Sequence, residues 1–314
     1  MTAVTQPQLD VAVAHSVPRQ RDGGGREPSL PPSVYGSPAR RLATRIGGYA
    51  VLAFFAILFI YPFVIQLANA FKTEQDAAAN PLSPIPNPLS TASIERIFVG
   101  TGFPTWLANS VLITVLVTLG RVFFDSLAGY ALARLRFRGR RVLFGTVLGM
   151  MSVPGVVLLI PKFLVLKQLG LFNSYAGLIV PVFIDAAGIF IMKQSFESVS
   201  VDIEEAARID GAGIFRTYWS VVLPTMRPAL ITLTILSFQA SWNEFPHTLV
   251  AVQSPQYFTL PRGLADLVSG SLGAGTQYPL KLGAALLATI PVAVLFFVFQ
   301  RYFVRGANEG GSKG

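Results

Sequence analysis

An all-helical integral membrane protein with six transmembrane helices is the fold class this sequence predicts, and three observations carry the prediction. Hydrophobic residues make up 52% of the 314-residue chain and charged residues 13%, about half the charged share of an ordinary soluble domain. The apolar residues gather in six runs, each near the about 20 residues that cross about 30 Å of hydrocarbon. Arginine and lysine concentrate in every second connection between these runs, the bias that marks cytoplasmic segments.

Residues 1–44 come first and are rich in Pro, Gly, Ser and Arg, including RDGGGREPSLPPS. Such a stretch buries too little apolar area to fold, so it is expected to be a disordered cytoplasmic leader, either a solvated linker or a binding tail. A transmembrane domain is expected over 45–304, with spans at 47–70, 106–131, 142–166, 175–192, 228–248 and 282–302, and a tail at 305–314. Ala68-Asn69-Ala70 has the form of a signal-peptidase site, but the apolar run before it is longer than the 7–15 residues of a signal core, which argues against cleavage. The basic clusters fall in the leader, in ALARLRFRGRR after the second span, in the segment after the fourth and in the tail. Both termini are therefore expected in the cytoplasm of a multi-pass protein of the plasma (inner) membrane. The external segments 80–90, NPLSPIPNPLS, and 254–281 read as simple connections or as contact points for an external protein.

Several function classes fall away. There is no cysteine, which removes disulfides, thiol catalysis and cysteine metal sites. Two histidines, His15 and His247, do not make a cluster, and no metal site is expected. The formal charge of +9 sits in topogenic segments rather than on an aromatic-basic platform, so no nucleic-acid partner is expected.

The stretch EEAARIDGAGIFRTYWSVVLP, Glu204 to Pro224, is polar at its start and lies between two spans on the cytoplasmic side. SVDIEEAARIDG reads as a short helix: Ser200 or Asp202 can cap it, Asp202 and Glu205 have the capping-box spacing, and Glu204 and Arg208 can pair at i,i+4. Ile203, Ala206 and Ala207 share a small-sided face, and Gly211 is a natural left-handed stop. Ile214, Phe215, Tyr218, Trp219, Val221 and Val222 then make a short aromatic helix, too short to cross a bilayer. Helix, glycine turn and helix together make either a docking shape for a partner's groove or a hairpin resting on lipid.

This segment resembles the EAA loop of ATP-binding-cassette importer permeases, which runs E-A-A, three residues, G, nine residues, I, one residue, L-P. Here it is Glu205-Ala206-Ala207, three residues, Gly211, nine residues, Val221 in the Ile position, Val222 and Leu223-Pro224. LARLRFRGRR, WNEF at 242–245 and the ending QRYFVRG are similar to the carbohydrate branch, the relatives of the smaller maltose-permease subunit. The resemblance covers about Arg45 to Gly314. The chain departs from it at Ser200, where the family often has proline, and in the tail GANEGGSKG, which is only loosely similar. The resemblance implies a cytoplasmic coupling hairpin over about 197–226. Glu205, Ala206, Ala207, Asp210, Gly211, Leu223 and Pro224 would dock on an ATP-binding subunit present in two copies. It also implies a second permease subunit and an extracytoplasmic sugar-binding protein. The chain has no G-x-x-x-x-G-K-[ST] loop; ATP and Mg would belong to the partner, no cofactor would be bound here, and no covalent chemistry is expected.

Charged and polar residues inside spans are functional candidates because they are costly there. Arg121 and Asp125 stand at i,i+4 and can neutralise each other, while Asp185 has no partner in sequence and can face an aqueous cavity or Arg121. Gln239 and Asn243, again i,i+4, with Trp242 and Glu244 beside them, suit a polyol pathway or interhelical hydrogen bonds. Pro154, Pro161, Pro181 and Pro291 mark expected kinks. Three readings follow: a permease subunit of an ATP-driven importer, with a sugar or another solute as cargo; a carrier working alone with Arg121, Asp125 and Asp185 as its relay; or a membrane scaffold whose loop recruits a soluble partner.

Overall fold

A computed structural model of the chain describes residues 38–269 and 277–311, and every regular element among them is helical. Leader residues 1–37, residues 270–276 of the segment expected to be external and tail residues 312–314 lie outside the described residues. The chain divides into two compact units, Met1–Ile57 and Leu58–Gly314. The described part of the first is the opening stretch of α1, which runs Pro38–Ala70. Residues 38–44, expected in the leader, are therefore helical. Leu52, Phe54 and Ile57 each expose more than 60% of their surface, as lipid-facing side chains do.

The second unit holds the end of α1 and then α2 (Glu74–Ala79), α3 (Ala92–Val99), α4 (Phe103–Arg134), α5 (Arg140–Met151), α6 (Leu159–Gln168), α7 (Tyr175–Ile179) and α8 (Ala186–Glu197). There follow α9 (Val201–Ile209), α10 (Ile214–Arg216), α11 (Leu223–Thr225), α12 (Arg227–Trp242), α13 (Pro246–Ala251), α14 (Leu260–Val268) and α15 (Tyr278–Gly311). The tail expected from 305 onward thus continues the last helix to Gly311.

The six spans are realised as four helical stretches long and apolar enough to cross a membrane, and as six only if two bent pairs each count as one span. The third expected span is α5 and α6, bent by 101°. Pro154 stands at the break, where it lacks an N–H and bars its predecessor from helical geometry. Pro181 lies in the 3-10 turn Val180–Val182 between α7 and α8; Pro291 lies inside α15 and Pro161 in the first turn of α6. The fifth expected span, 228–248, is shortened: α12 ends at Trp242 and meets the preceding helical stretch Ile214–Thr225 at 83°.

The long helix α4 is the centre of the unit, packing on α8, α12 and α14. Its close approach to α8 depends on Gly129, where a Cβ would lie 2.7 Å from the Met192 Cβ and 2.9 Å from the Lys193 nitrogen; small residues bring helix backbones together in this way in membranes. At the start of α4, Phe103 and Trp106 enter one apolar cluster with Leu260, Leu267 and Leu280. At its end, Tyr130 enters a second with Met192, Phe196, Tyr218 and Leu233.

The proline-rich segment 80–90 is an ordered element. Lys72 is fully buried, and its Nζ donates to the carbonyls of Asn80 (2.7 Å) and Ser83 (2.8 Å). The Asp76 carboxylate accepts from Asn80 Nδ2 (3.0 Å) and the Asn87 N–H (2.9 Å). Asn69 Nδ2 donates to the carbonyls of Ile65 and Pro81, and Ala68, Asn69 and Ala70 are buried. Backbone groups that the prolines keep out of helix ladders are thus met by side chains.

Candidate functional site

The helix α9 starts on Ser200, whose hydroxyl accepts from the Asp202 N–H (3.3 Å); of the two caps the sequence allows, Ser200 is the one used. Its C-cap is Asp210. Gly211 follows at φ +77°, the left-handed conformation that stops a helix and that glycine adopts without a Cβ clash. After the turn, α10 runs into a six-residue π-helical stretch, Thr217–Val222, and α9 packs against it.

This turn-linked pair of helices has an inner and an outer face. Glu204 and Ala207 are buried, whereas Glu205, Ala206, Asp210 and Gly211 are exposed. Tyr218 and Val222 are buried. Ile214 (63%), Phe215 (64%) and Trp219 (50%) are open, and the Phe215 and Trp219 rings stack at 6.3 Å. The expected docking set is therefore split. Ala207 is turned into its own chain. Leu223 and Pro224 lie at the bend before α12, with Leu223 packed on the apolar cluster around Tyr218.

What holds the inner face was invisible in the sequence. Arg134, the last residue of α4, reaches Glu204 at 3.1 Å, with side-chain exposures of 10% and 2%. Its Nη2 also donates to the carbonyls of Phe196 (2.6 Å) and Val199, which lie at the C-terminal end of α8. Glu204 receives Arg208 as well (3.6 Å), the i,i+4 pair expected from spacing. A second buried link joins the Tyr218 and Ser126 hydroxyls at 2.8 Å. Both links end on α4, so the two short helices are fastened to the central helix of this unit. A cavity of about 610 Å³ opens beside them, lined by Arg134, Arg136, Arg140, Glu204, Glu205 and Arg208.

The intramembrane charges are arranged differently from their spacing. Arg121 and Asp125 do not form the expected pair: Arg121 Nε donates to the Val182 carbonyl (2.8 Å), while Asp125 Oδ1 accepts the Asp185 N–H (3.0 Å). Asp185 is the N-cap of α8, its carboxylate accepting from the Gly188 N–H (3.1 Å). The helix breaks around Pro181 supply free backbone groups, and the charged side chains satisfy them; burial selects that outcome because an unpaired backbone group in lipid costs several kcal/mol.

The polar residues near the end of α12 also separate. Trp242 is buried, donates its Nε1 proton to the Ala288 carbonyl (3.2 Å) and stacks on Phe238 at 5.8 Å. It does not offer a ring face to a pathway. Glu244 accepts the His247 N–H (2.8 Å) and caps α13. Gln239 and Asn243 are exposed, linked by Asn243 Nδ2 to the Gln239 carbonyl (2.9 Å). The cavity that Glu244 shares with Arg121, His247 and Thr259 holds about 20 Å³, room for about one water and not for a sugar. Among the described residues no group of three or more His, Asp or Glu side chains converges as metal ligands would.

The central helix α4 of this membrane unit thus carries a short helix pair at its end, one face fastened and one face open. The chain belongs to the family described as binding-protein-dependent transport system inner membrane component, which matches residues 125–308. It is a non-catalytic membrane component of a transport system. The chain is 33% identical over 270 residues to the arabinooligosaccharides transport system permease protein AraQ of Halalkalibacterium halodurans, covering 85% of this chain and 95% of that one. It is 29% identical to the galactooligosaccharides permease protein GanQ of Bacillus subtilis over 88% of this chain and 98% of that one. It is 30% identical to the sn-glycerol-3-phosphate permease protein UgpE of Yersinia pestis over 80% and 91%. Among solved structures, a bacterial ABC transporter involved in the import of the acidic polysaccharide alginate aligns with a TM-score of 0.74 and 26% identity. That alignment covers 86% of this chain and 99% of that chain.

Proposed function

We propose that this chain is the transmembrane permease subunit of an ATP-driven sugar importer and that α9, Gly211 and α10 form its EAA-type coupling hairpin. The family match supports membership of a binding-protein-dependent system, and the named activities of the relatives favour an oligosaccharide or related polyol as cargo. In this reading a second permease subunit completes the pathway, two copies of an ATP-binding subunit dock from the cytoplasm and bind ATP and Mg, and an extracytoplasmic binding protein delivers the sugar. Both termini are cytoplasmic, following the arginine bias.

The observation that carries the reading is the two-faced helix pair. Its exposed face, with Glu205, Ala206, Asp210, Gly211 and the Phe215–Trp219 pair, suits a groove on another protein. Its buried face transmits force, because Glu204–Arg134 and Tyr218–Ser126 tie it to α4. A stroke on the outer face would move α4 and the helices packed on it, opening and closing the pathway by alternating access. Gln239 and Asn243 are the exposed amides best placed to meet sugar hydroxyls. The carrier alternative loses its motive, since Arg121, Asp125 and Asp185 are engaged by backbone groups. Reconstitution tests the proposal: vesicles holding this chain, its neighbouring permease and the ATPase should take up labelled oligosaccharide only with ATP inside and receptor outside. Uptake without the ATPase would favour a carrier, and no uptake under any condition a scaffold.

A further inference from the structure

We propose that the basic turn joining α4 to α5 is a binding site for the headgroup of an anionic phospholipid. Two cavities meet there. One of about 410 Å³ is lined by Arg136, Phe137, Gly139, Arg140, Arg141 and Val142. The other, of about 340 Å³, is lined by Arg140, Arg141, Phe144 and Lys193. They share Arg140 and Arg141 and are of the size that holds small polar ligands.

The charges around them do not cancel. Lys193 is nearly buried, sits 4.2 Å above the Phe144 ring and donates to Glu197 at 2.7 Å. Arg140 is fastened by the carbonyls of Ala133 (3.0 Å) and Leu135 (3.5 Å) and stands 4.0 Å from the same carboxylate. Glu197 is thus shared by two cations. Arg136, Arg138 and Arg141 are exposed, and none has an acceptor among the described residues. On the far side of Arg136, Glu204 is already held by Arg134 and Arg208, which leaves Glu205 facing the neighbouring cavity. Arg136 and Arg141 line the cavities without partners, Arg138 lies between them in the turn, and two fixed cations stand beside them; this is a phosphate-binding chemistry, because guanidinium meets phosphate oxygens through paired N–H donors.

The surroundings select lipid as the source of that phosphate. The turn sits where two membrane helices end and begin. Phe137 (42%), Val142 (74%) and Leu143 (50%) are apolar and exposed next to the arginines, as suits acyl chains below a headgroup. Basic pockets between transmembrane helices at the cytoplasmic surface attract anionic headgroups in this way. Naming the leaflet rests on the cytoplasmic orientation proposed above; the site itself does not.

The test uses the full chain purified with the subunits that accompany it, mixed with equal amounts of phosphatidylglycerol and phosphatidylcholine and read by native mass spectrometry. We expect retention of phosphatidylglycerol to exceed that of phosphatidylcholine about tenfold or more, and R136Q/R138Q/R141Q to bring the ratio near one. A photoactivatable phosphatidylglycerol should label 136–144 in the unmodified chain, which keeps the test independent of the variant's folding. Equal retention of the two lipids, labelling confined to other segments, or displacement of the lipid by millimolar inorganic phosphate would overturn the proposal, the last by assigning the site to a soluble anion. Crosslinks from residue 138 to an accompanying protein would overturn it in favour of a protein contact. Oligosaccharide uptake is measured in parallel: its absence with lipid selectivity intact would count against the transport reading alone.

Discussion

Arg134 and Glu204 meet at 3.1 Å in a nearly closed site, one at the end of the central span and the other on the helix whose outer face is open. Removing one partner of such a pair leaves a buried charge short of its main compensation, which costs up to about 3–5 kcal/mol. Arg134→Ala and Glu204→Ala should each lower the melting temperature of the purified protein and abolish uptake. In the double variant the losses should be well below additive, since the first change already removes the interaction. Fully additive losses would show that the two side chains act separately. ATP turnover that persists while uptake is lost in Glu204→Gln would mark the pair as a transmission element.

Gly211 has open space around its Cβ position, so only its backbone matters. At φ +77° a β-branched residue is strained by about 1–2 kcal/mol, whereas asparagine tolerates the conformation. Gly211→Val should therefore weaken uptake and Gly211→Asn should leave most of it. If both variants import equally well, the turn is not shape-determining.

Trp242 and Gln239 separate packing from pathway. Trp242→Ala empties a buried, hydrogen-bonded site and should cost about 3–5 kcal/mol of stability. Trp242→Phe should keep much of the packing and leave the sugar preference unaltered. Gln239→Ala and Asn243→Ala should change stability by less than about 0.5 kcal/mol while raising the KM for uptake. A changed sugar preference in Trp242→Phe would reverse these assignments.

The ordered element built on Asp76 should respond to acid. Its carboxyl is held below the ordinary value of 3.8, first by the Asn87 N–H and then by the Asn80 amide, with the Lys72 charge adding to them against burial. A carboxylate depressed by folding stabilises above its unfolded value and loses that contribution as pH falls through the folded one. Segment 72–90 should resist proteolysis equally at pH 7 and pH 5 and open only below about pH 3.8. Asp76→Asn should be cut more readily at neutral pH and show no further acid step.

Much of this was legible in the residues themselves. Hydrocarbon thickness demands long apolar runs, so the order of the apolar segments can be read from composition; the left-handed stop at Gly211 and the Glu204–Arg208 pair are local and follow from spacing. Nothing local revealed that Arg134 would leave the arginine-rich turn to bind Glu204, because ALARLRFRGRR offers five equivalent guanidinium groups and only packing of α4 on α8 brings one of them to α9. Spacing misled for Arg121 and Asp125, which answer unpaired backbone groups at a distant helix break. It misled again for Trp242, whose amphipathic ring suits a pathway and a core equally well.

The chain alone determined that it crosses a membrane and that a short helix ends in a left-handed turn at Gly211, since each depends on neighbours within a few turns. Tertiary structure alone decided which face of the helix pair around Gly211 is free, where the helix pairs 140–168 and 214–242 bend, and which polar side chains are used up inside the protein. Those outcomes rest on burial between segments far apart in sequence, where desolvation forces each charge and each open backbone group to find whichever partner the fold brings within reach.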